Sequence, residues 1–303
     1  MNKLGKLIRC ITSDGAIMVS AIDSTDIVAK AEQLHKTSAV ITAALGRMLT
    51  AGAMMGNMLK GEKNTISIKI DGGGPSGPIT VSADSVGNVR GYAVNPVVEI
   101  PLKPNGKLDV SGAVGVNGSL FVNKDLGMKE AYNDFVPITT GEIAEDITSY
   151  YATSEQIPTA CALGVLVDTD LTVRKAGGYI IQLLPAADNA VIDRLEENLS
   201  KAKPVTQLLE SGMDIEEIVK DVLQGFETEV LYTEYPAYKC KCSREKIEGI
   251  LTGLSEEDLN EMIESEEDTQ VKCHFCNENY VFSSGEIEKI KNKKFFKKVL
   301  DKA

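Results

Sequence analysis

Apolar positions along this chain follow two rhythms, one of period two and one of period three to four. Ile17–Ile22 alternates weakly, as a strand does. Ser24 and Asp26 then open a helical run to about Leu34, and Ser38 is placed to cap a longer helix carrying Leu45, Met48, Leu49 and Met55 toward a core. The long apolar stretch from Ala39 to Leu59 contains Arg47, Asn57, Gly46, Gly52 and Gly56. A bilayer span needs about 20 apolar residues with few or no charges. The stretch therefore reads as a buried helix whose small residues permit close packing. Short β segments are predicted at Thr65–Ile70, Pro78–Ala83, Val89–Val94, Lys107–Val114 and Ser119–Asn123. Asn105-Gly106 and Asn117-Gly118 between such runs are hairpin signals. A helix follows from Gly141 to Tyr150, then a helix turning to strand over Ile157–Val167 and a strand pair over Val173–Leu184.

After Pro185 the pattern becomes charged and only modestly amphipathic. Ala186–Leu199 and Val205–Leu223 read as helices, interrupted by Pro204 and Ser211-Gly212 and closed by Gly225. This stretch reads as a connector rather than a core. The expected architecture is an α/β (α+β) N-terminal domain of antiparallel hairpins and packed helices over residues 1–184. A helical linker over 185–230 and a small C-terminal four-cysteine domain over 231–303 complete it.

Charge narrows the function. Lys plus Arg number 32 and Asp plus Glu 44, for a net charge of −12 over 303 residues. A stand-alone nucleic-acid binder needs the opposite excess. The apolar fraction of 43% suits a chain with a sizeable core. No apolar h-region follows Met1–Cys10. The expectation is a cytoplasmic protein, where clustered cysteines bind metal or do redox chemistry more often than they form stable disulfides.

Six cysteines are present. Cys10 and Cys161 stand alone in apolar surroundings and read as core fillers. Cys240-Lys241-Cys242 and Cys273-His274-Phe275-Cys276 form two close pairs on separate segments. Four thiolates in two pairs suit tetrahedral Zn²⁺, one ion per chain. Four sulfurs complete such a site, which leaves His274 outside it. Ser243 is placed to cap a helix with Ile247, Ile250, Leu251 and Leu254. Ser255-Glu256-Glu257-Asp258 is a capping-box start for a second helix with Leu259, Met262 and Ile263. A unit this small has little core, so metal would supply much of its folding free energy. Spacing alone leaves open a permanent structural zinc module. It also leaves open a switch in which oxidation removes the ligands and the unit opens. A thioredoxin-like use of Cys273 and Cys276 is a weaker reading, because no βαβ context surrounds them.

Beyond the cysteines, the chain carries Thr12-Ser13-Asp14-Gly15, Ala43-Ala44-Leu45-Gly46-Arg47, Gly56-Asn57-Met58-Leu59-Lys60-Gly61 and Gly87-Asn88-Val89-Arg90-Gly91-Tyr92. It also carries Ser111-Gly112-Ala113-Val114-Gly115, Gly141-Glu142-Ile143-Ala144-Glu145-Asp146-Ile147, Ser154-Glu155-Gln156-Ile157-Pro158 and Ala176-Gly177-Gly178-Tyr179. Together with the four cysteines, these resemble the redox-regulated thirty-three-kilodalton chaperonin family, the heat shock protein 33 homologues, over nearly the whole chain. The resemblance implies a cytoplasmic holdase that binds unfolding proteins without ATP and is not an enzyme. It implies an inactive form with zinc on Cys240, Cys242, Cys273 and Cys276. It also implies an active oxidised dimer with disulfides Cys240–Cys242 and Cys273–Cys276. No nucleic acid or membrane partner is expected. The competing reading is a constitutive zinc-ribbon adaptor for a protein or RNA partner.

Other patterns in the chain have structural readings. Gly72–Gly77 satisfies G-x-G-x-x-G, but Pro75 and Pro78 lead into a strand, so a hairpin connection is expected. Glu142, Glu145 and Asp146 are expected to serve a helix face rather than catalysis. Met48, Met54, Met55 and Met58 are expected in a helix core, and Lys289–Lys298 on a solvated C-terminal helix.

Overall fold

The computed structural model describes residues 5–128, 130–265 and 267–300, without the side chains of 294–300. The chain divides between Lys239 and Cys240 into two units. The first unit begins with β1 (Leu7–Thr12), β2 (Ile17–Asp23), α1 (Thr25–His35) and α2 (Ala39–Asn57). Then come β3 (Thr65–Asp71), β4 (Ile79–Asp84), β5 (Val89–Ala93), α3 (Val110–Val114), β6 (Ser119–Asp125) and β7 (Tyr132–Pro137). It continues through α4 (Ala144–Tyr150), a π-helical turn (Tyr151–Glu155), β8 (Thr159–Val167) and β9 (Val173–Leu183). It closes with α5 (Asn189–Lys201), α6 (Val205–Glu210), α7 (Ile215–Val222) and β10 (Thr228–Glu234). The strands form two antiparallel sheets, ordered β10-β1-β2-β9-β8 and β5-β4-β3-β6-β7.

Helix α2 touches strands of both sheets and is buried along nearly its whole length, as its composition predicts. Its glycines set how closely those strands approach. A Cβ on Gly46 would stand 2.7 Å from Val28 and 2.8 Å from Val165, and one on Gly52 would stand 2.7 Å from Val81. The helix is long and apolar enough to cross a membrane, yet 89% of that window lies inside the protein. The methionines follow: Met48, Met54 and Met55 are core, and Met58 is part-buried and accepts a hydrogen bond from Tyr151 at 3.8 Å.

The expected connector is a layer with a core of its own. Ile8, Cys10, Ile17, Val19, Tyr179 and Ile181 on the first sheet pack with Leu195, Leu208, Leu209, Ile218 and Val222 of α5, α6 and α7. Burial of this kind stabilises by about 25 cal/mol per Å² of apolar surface, so these helices are part of the fold. The division also falls later than position 231. Strand β10 pairs with β1, and Val89 N–H donates to Ala237 O at 3.0 Å while Lys239 N–H donates to Val89 O at 2.9 Å.

Local differences have local causes. The predicted strand Lys107–Val114 contains α3 instead, because Asp109 Oδ1 accepts from Gly112 N–H at 3.0 Å and caps a helical turn. Val173–Leu183 is one strand paired on both sides, not a strand pair. Gly72–Gly77 is the connection from β3 to β4, with no helix after it. Its glycines let Gly74 N–H reach Val114 O at 2.9 Å, where a Cβ would stand 2.4 Å from Val114 C.

The second unit holds α8 (Arg244–Thr252), α9 (Glu256–Glu264), the antiparallel pair β11 (Thr269–Lys272) and β12 (Asn279–Phe282), and α10 (Ser284–Leu300). Ser243 caps α8 through Lys246 N–H, and Ser255 and Asp258 form the predicted capping box on α9. Among the described residues its core is small: Ile247, Leu251, Leu259, Phe282, Ile287 and Ile290. Lys291 Nζ donates to Asn260 Oδ1 at 2.6 Å, so the lysine-rich helix is tied to α9. The side chains of Phe295 and Phe296 lie outside the described residues.

Candidate metal centre

Cys240 and Cys242 sit on the irregular segment just before α8, and Cys273 and Cys276 on the turn from β11 to β12. Cys273 N–H donates to Glu278 O at 2.9 Å and Asn277 N–H to Cys273 O at 2.8 Å, so the backbone itself folds this turn. The four Sγ atoms lie within 4.8 Å of one another. The short approaches cross between segments, 3.7 Å from Cys240 to Cys273 and 3.3 Å from Cys242 to Cys276. All four cysteines are free thiols and half-buried. Thiolates about 2.3 Å from a tetrahedral ion stand about 3.8 Å apart. The residues fit that spacing, so the cluster is able to hold a metal ion.

Sequence spacing did not reveal Tyr280, whose hydroxyl donates to Cys242 Sγ at 3.2 Å. It stands on β12 among packing residues, and no pattern marks it as a sulfur partner. Among the thiols themselves, burial pushes Cys242 up. Hydrogen bonds from Tyr280 and from Cys240, Cys276 and Cys273 outweigh burial and bring Cys242 down to about 7. Burial pushes Cys240 and Cys276 up. His274 is exposed and stands outside the converging ligand set.

The two remaining cysteines face elsewhere. Cys10 is 2% exposed within the layer of α5, α6 and α7, and burial pushes its thiol up to about 11. Cys161 is half-buried as a residue but packs against the core around α2, and burial raises its thiol as well.

The acidic residues near α4 are bonded within the first unit. Glu142 accepts from Arg47 at 2.7 Å and from Lys103. Burial raises its carboxyl, but those two cations outweigh it and leave the group below its usual value of 4.5. A carboxyl depressed on folding contributes stability above its unfolded pKa, and that contribution is lost as pH falls through the folded value. Wild type will therefore lose stability below about pH 4.5 more steeply than Glu142→Gln. Urea midpoints between pH 3 and 7 check this; superimposable profiles would remove the ion pair from the account.

The Hsp33 protein family matches residues 5–283. The chain is 47% identical over 290 residues to the 33 kDa chaperonin of Clostridium perfringens (strain SM101 / Type A), covering 95% of this chain and 92% of the relative. It is 48% identical over 284 residues to the 33 kDa chaperonin of Lachnoclostridium phytofermentans, covering 94% and 97%. The crystal structure of the 33 kDa chaperonin (heat shock protein 33 homologue) of Thermotoga maritima superposes with a TM-score of 0.88. It is 33% identical, with 97% of this chain and 99% of that one covered.

Proposed function

This chain belongs to the Hsp33 protein family, and on that premise we propose that it is a redox-regulated, ATP-independent holdase of the cytoplasm. Its relatives are named chaperonins, and a chaperone role follows from membership. In this reading the protein is not an enzyme. It binds unfolding or oxidatively damaged clients when oxidised, as a homodimer. When reduced it is held inactive, with one Zn²⁺ on Cys240, Cys242, Cys273 and Cys276.

The observation that carries the reading is the convergence of four thiols within 4.8 Å on a unit with a small core. Bound zinc would tie the two cysteine segments together and supply folding free energy that the core lacks. Peroxide oxidises thiolates: two thiols and one peroxide give one disulfide and two waters. Following the family resemblance, Cys240 then joins Cys242 and Cys273 joins Cys276. The unit loses its ligands and opens, and the apolar residues of its own small core become available to clients.

Peroxide at elevated temperature should release one zinc per chain and turn on suppression of a model client's aggregation. Metal loss without aggregation suppression would sink the holdase reading. Partner capture that needs reductant and zinc would favour the constitutive zinc-ribbon adaptor, because the redox effect then has the opposite sign.

A further inference from the structure

The hydrogen bond on Cys242 is fixed by two independent ties. The register of the β11–β12 pair sets Tyr280 opposite Val271. Arg244, two residues after Cys242, donates to Val281 O at 2.9 Å and to Glu286 at 2.7 Å. Its guanidinium lies 4.3 Å from the Phe282 ring centre. The start of α8 is thereby clamped to the same strand that carries Tyr280. The phenol hydroxyl meets Cys242 Sγ at 3.2 Å, on the sulfur that stands 3.3 Å from Cys276.

We propose that Tyr280 is a positioning residue that restrains the nucleophilicity of the Cys242 sulfur and so slows the first oxidation of the cluster there. The inference deepens the redox reading above and rests on it for the metal. A thiolate attacks hydrogen peroxide with a sulfur lone pair. The S–O bond forms, the O–O bond breaks, and hydroxide leaves, so that sulfur loses two electrons and the peroxide gains them. A hydroxyl donating to that sulfur withdraws electron density from the attacking lone pair, and a hydrogen bond to a charged partner is among the stronger ones. Groups that donate to metal ligands tune affinity and reactivity by about 10- to 100-fold when removed.

Tyr280→Phe removes one oxygen and keeps the ring in the strand. Reduced, zinc-loaded full-length protein, in which every cluster sulfur is a thiolate, is exposed to hydrogen peroxide, and the first sulfenic acid at each cysteine is trapped with a dione probe before disulfides form and counted by peptide mass spectrometry. Cys240 and Cys273 of the same chain serve as references. Cys242 should oxidise about 10-fold faster in the variant, while the two references keep their rates and thermal unfolding in reductant is unchanged. With Co²⁺ loaded, the sulfur-to-cobalt charge-transfer band should move to lower energy. A Cys242 rate unchanged relative to the references overturns the proposal. So does a common rise at all four sulfurs, which would mean a loosened unit. If wild type takes up no cobalt, the four-thiolate reading fails, and the Cys242 ratio taken at about pH 10, where the sulfur is thiolate with or without the phenol, still decides the role of Tyr280.

Discussion

A chelator added to the reduced, metal-loaded protein will unfold the unit from Cys240 onward and leave the first unit folded. Among the described residues the second unit buries six apolar side chains in its core. A core of that size supplies no more than about 3–5 kcal/mol, whereas a structural zinc site supplies about 10–16 kcal/mol near neutral pH. Loss of the metal term therefore exceeds what the packing retains. Far-UV circular dichroism should lose the signal of α8, α9 and α10. Trypsin should cut rapidly at Lys241, Arg244 and Lys246 while the chain before them resists. The first unit has cores on both faces of the β10-β1-β2-β9-β8 sheet and needs no ion for them. Equal digestion rates with and without chelator would show that the ion does not hold this unit shut, and the proposed sensor would lose its basis.

The second large effect lies in the first unit. Asp146→Ala will destabilise the first unit by about 2–6 kcal/mol, because the Gly141 and Ile143 N–H groups it holds are buried and each buried N–H left unpaired costs about 1–3 kcal/mol. Asp146 is fully buried. Its Oδ1 accepts from Thr139 N–H at 2.7 Å, Thr140 N–H at 3.0 Å and Gly141 N–H at 3.4 Å, and its Oδ2 accepts from Ile143 N–H at 2.9 Å. Ile143 has φ 74°, a conformation that costs a branched residue energy and persists only when its surroundings impose it. One carboxylate imposes it here. Against a typical total of about 5–15 kcal/mol, the loss is a large share of what holds the unit together. Urea unfolding of the variant measures it. A loss under about 1 kcal/mol would mean that the turn holds itself without this side chain.

The parts of this architecture legible in the sequence are those fixed by local chemistry. Helix α2 announced itself by apolar length and small residues, α9 by its capping box, and the cluster by four cysteines in two pairs. What the sequence hid depends on distant partners. Strand β1 is a central strand with both faces covered, so Leu7–Thr12 shows little alternation. Strand β10 is mostly exposed, an apolar Val230-Leu231-Tyr232 run between polar ends with no alternation, and what makes it a strand is its pairing with β1. Helices α5, α6 and α7 looked like a connector because their charged faces dominate the pattern. Their apolar stripes acquire meaning only against Ile8, Val19 and Ile181. Tyr280 was invisible for the same reason, since its partner sulfur lies 38 positions earlier in the chain.

The two solitary cysteines mark opposite sides of one sheet. Cys10 lies under the α5–α7 cover, and Cys161 against the packing around α2. Burial raises both thiols, and Cys10, at 2% exposed, is out of an alkylating reagent's reach while the fold is closed. The chain thus carries a built-in gauge of layer separation. Labelling at Cys10 would time the lifting of the helical cover, with no dye or tag introduced.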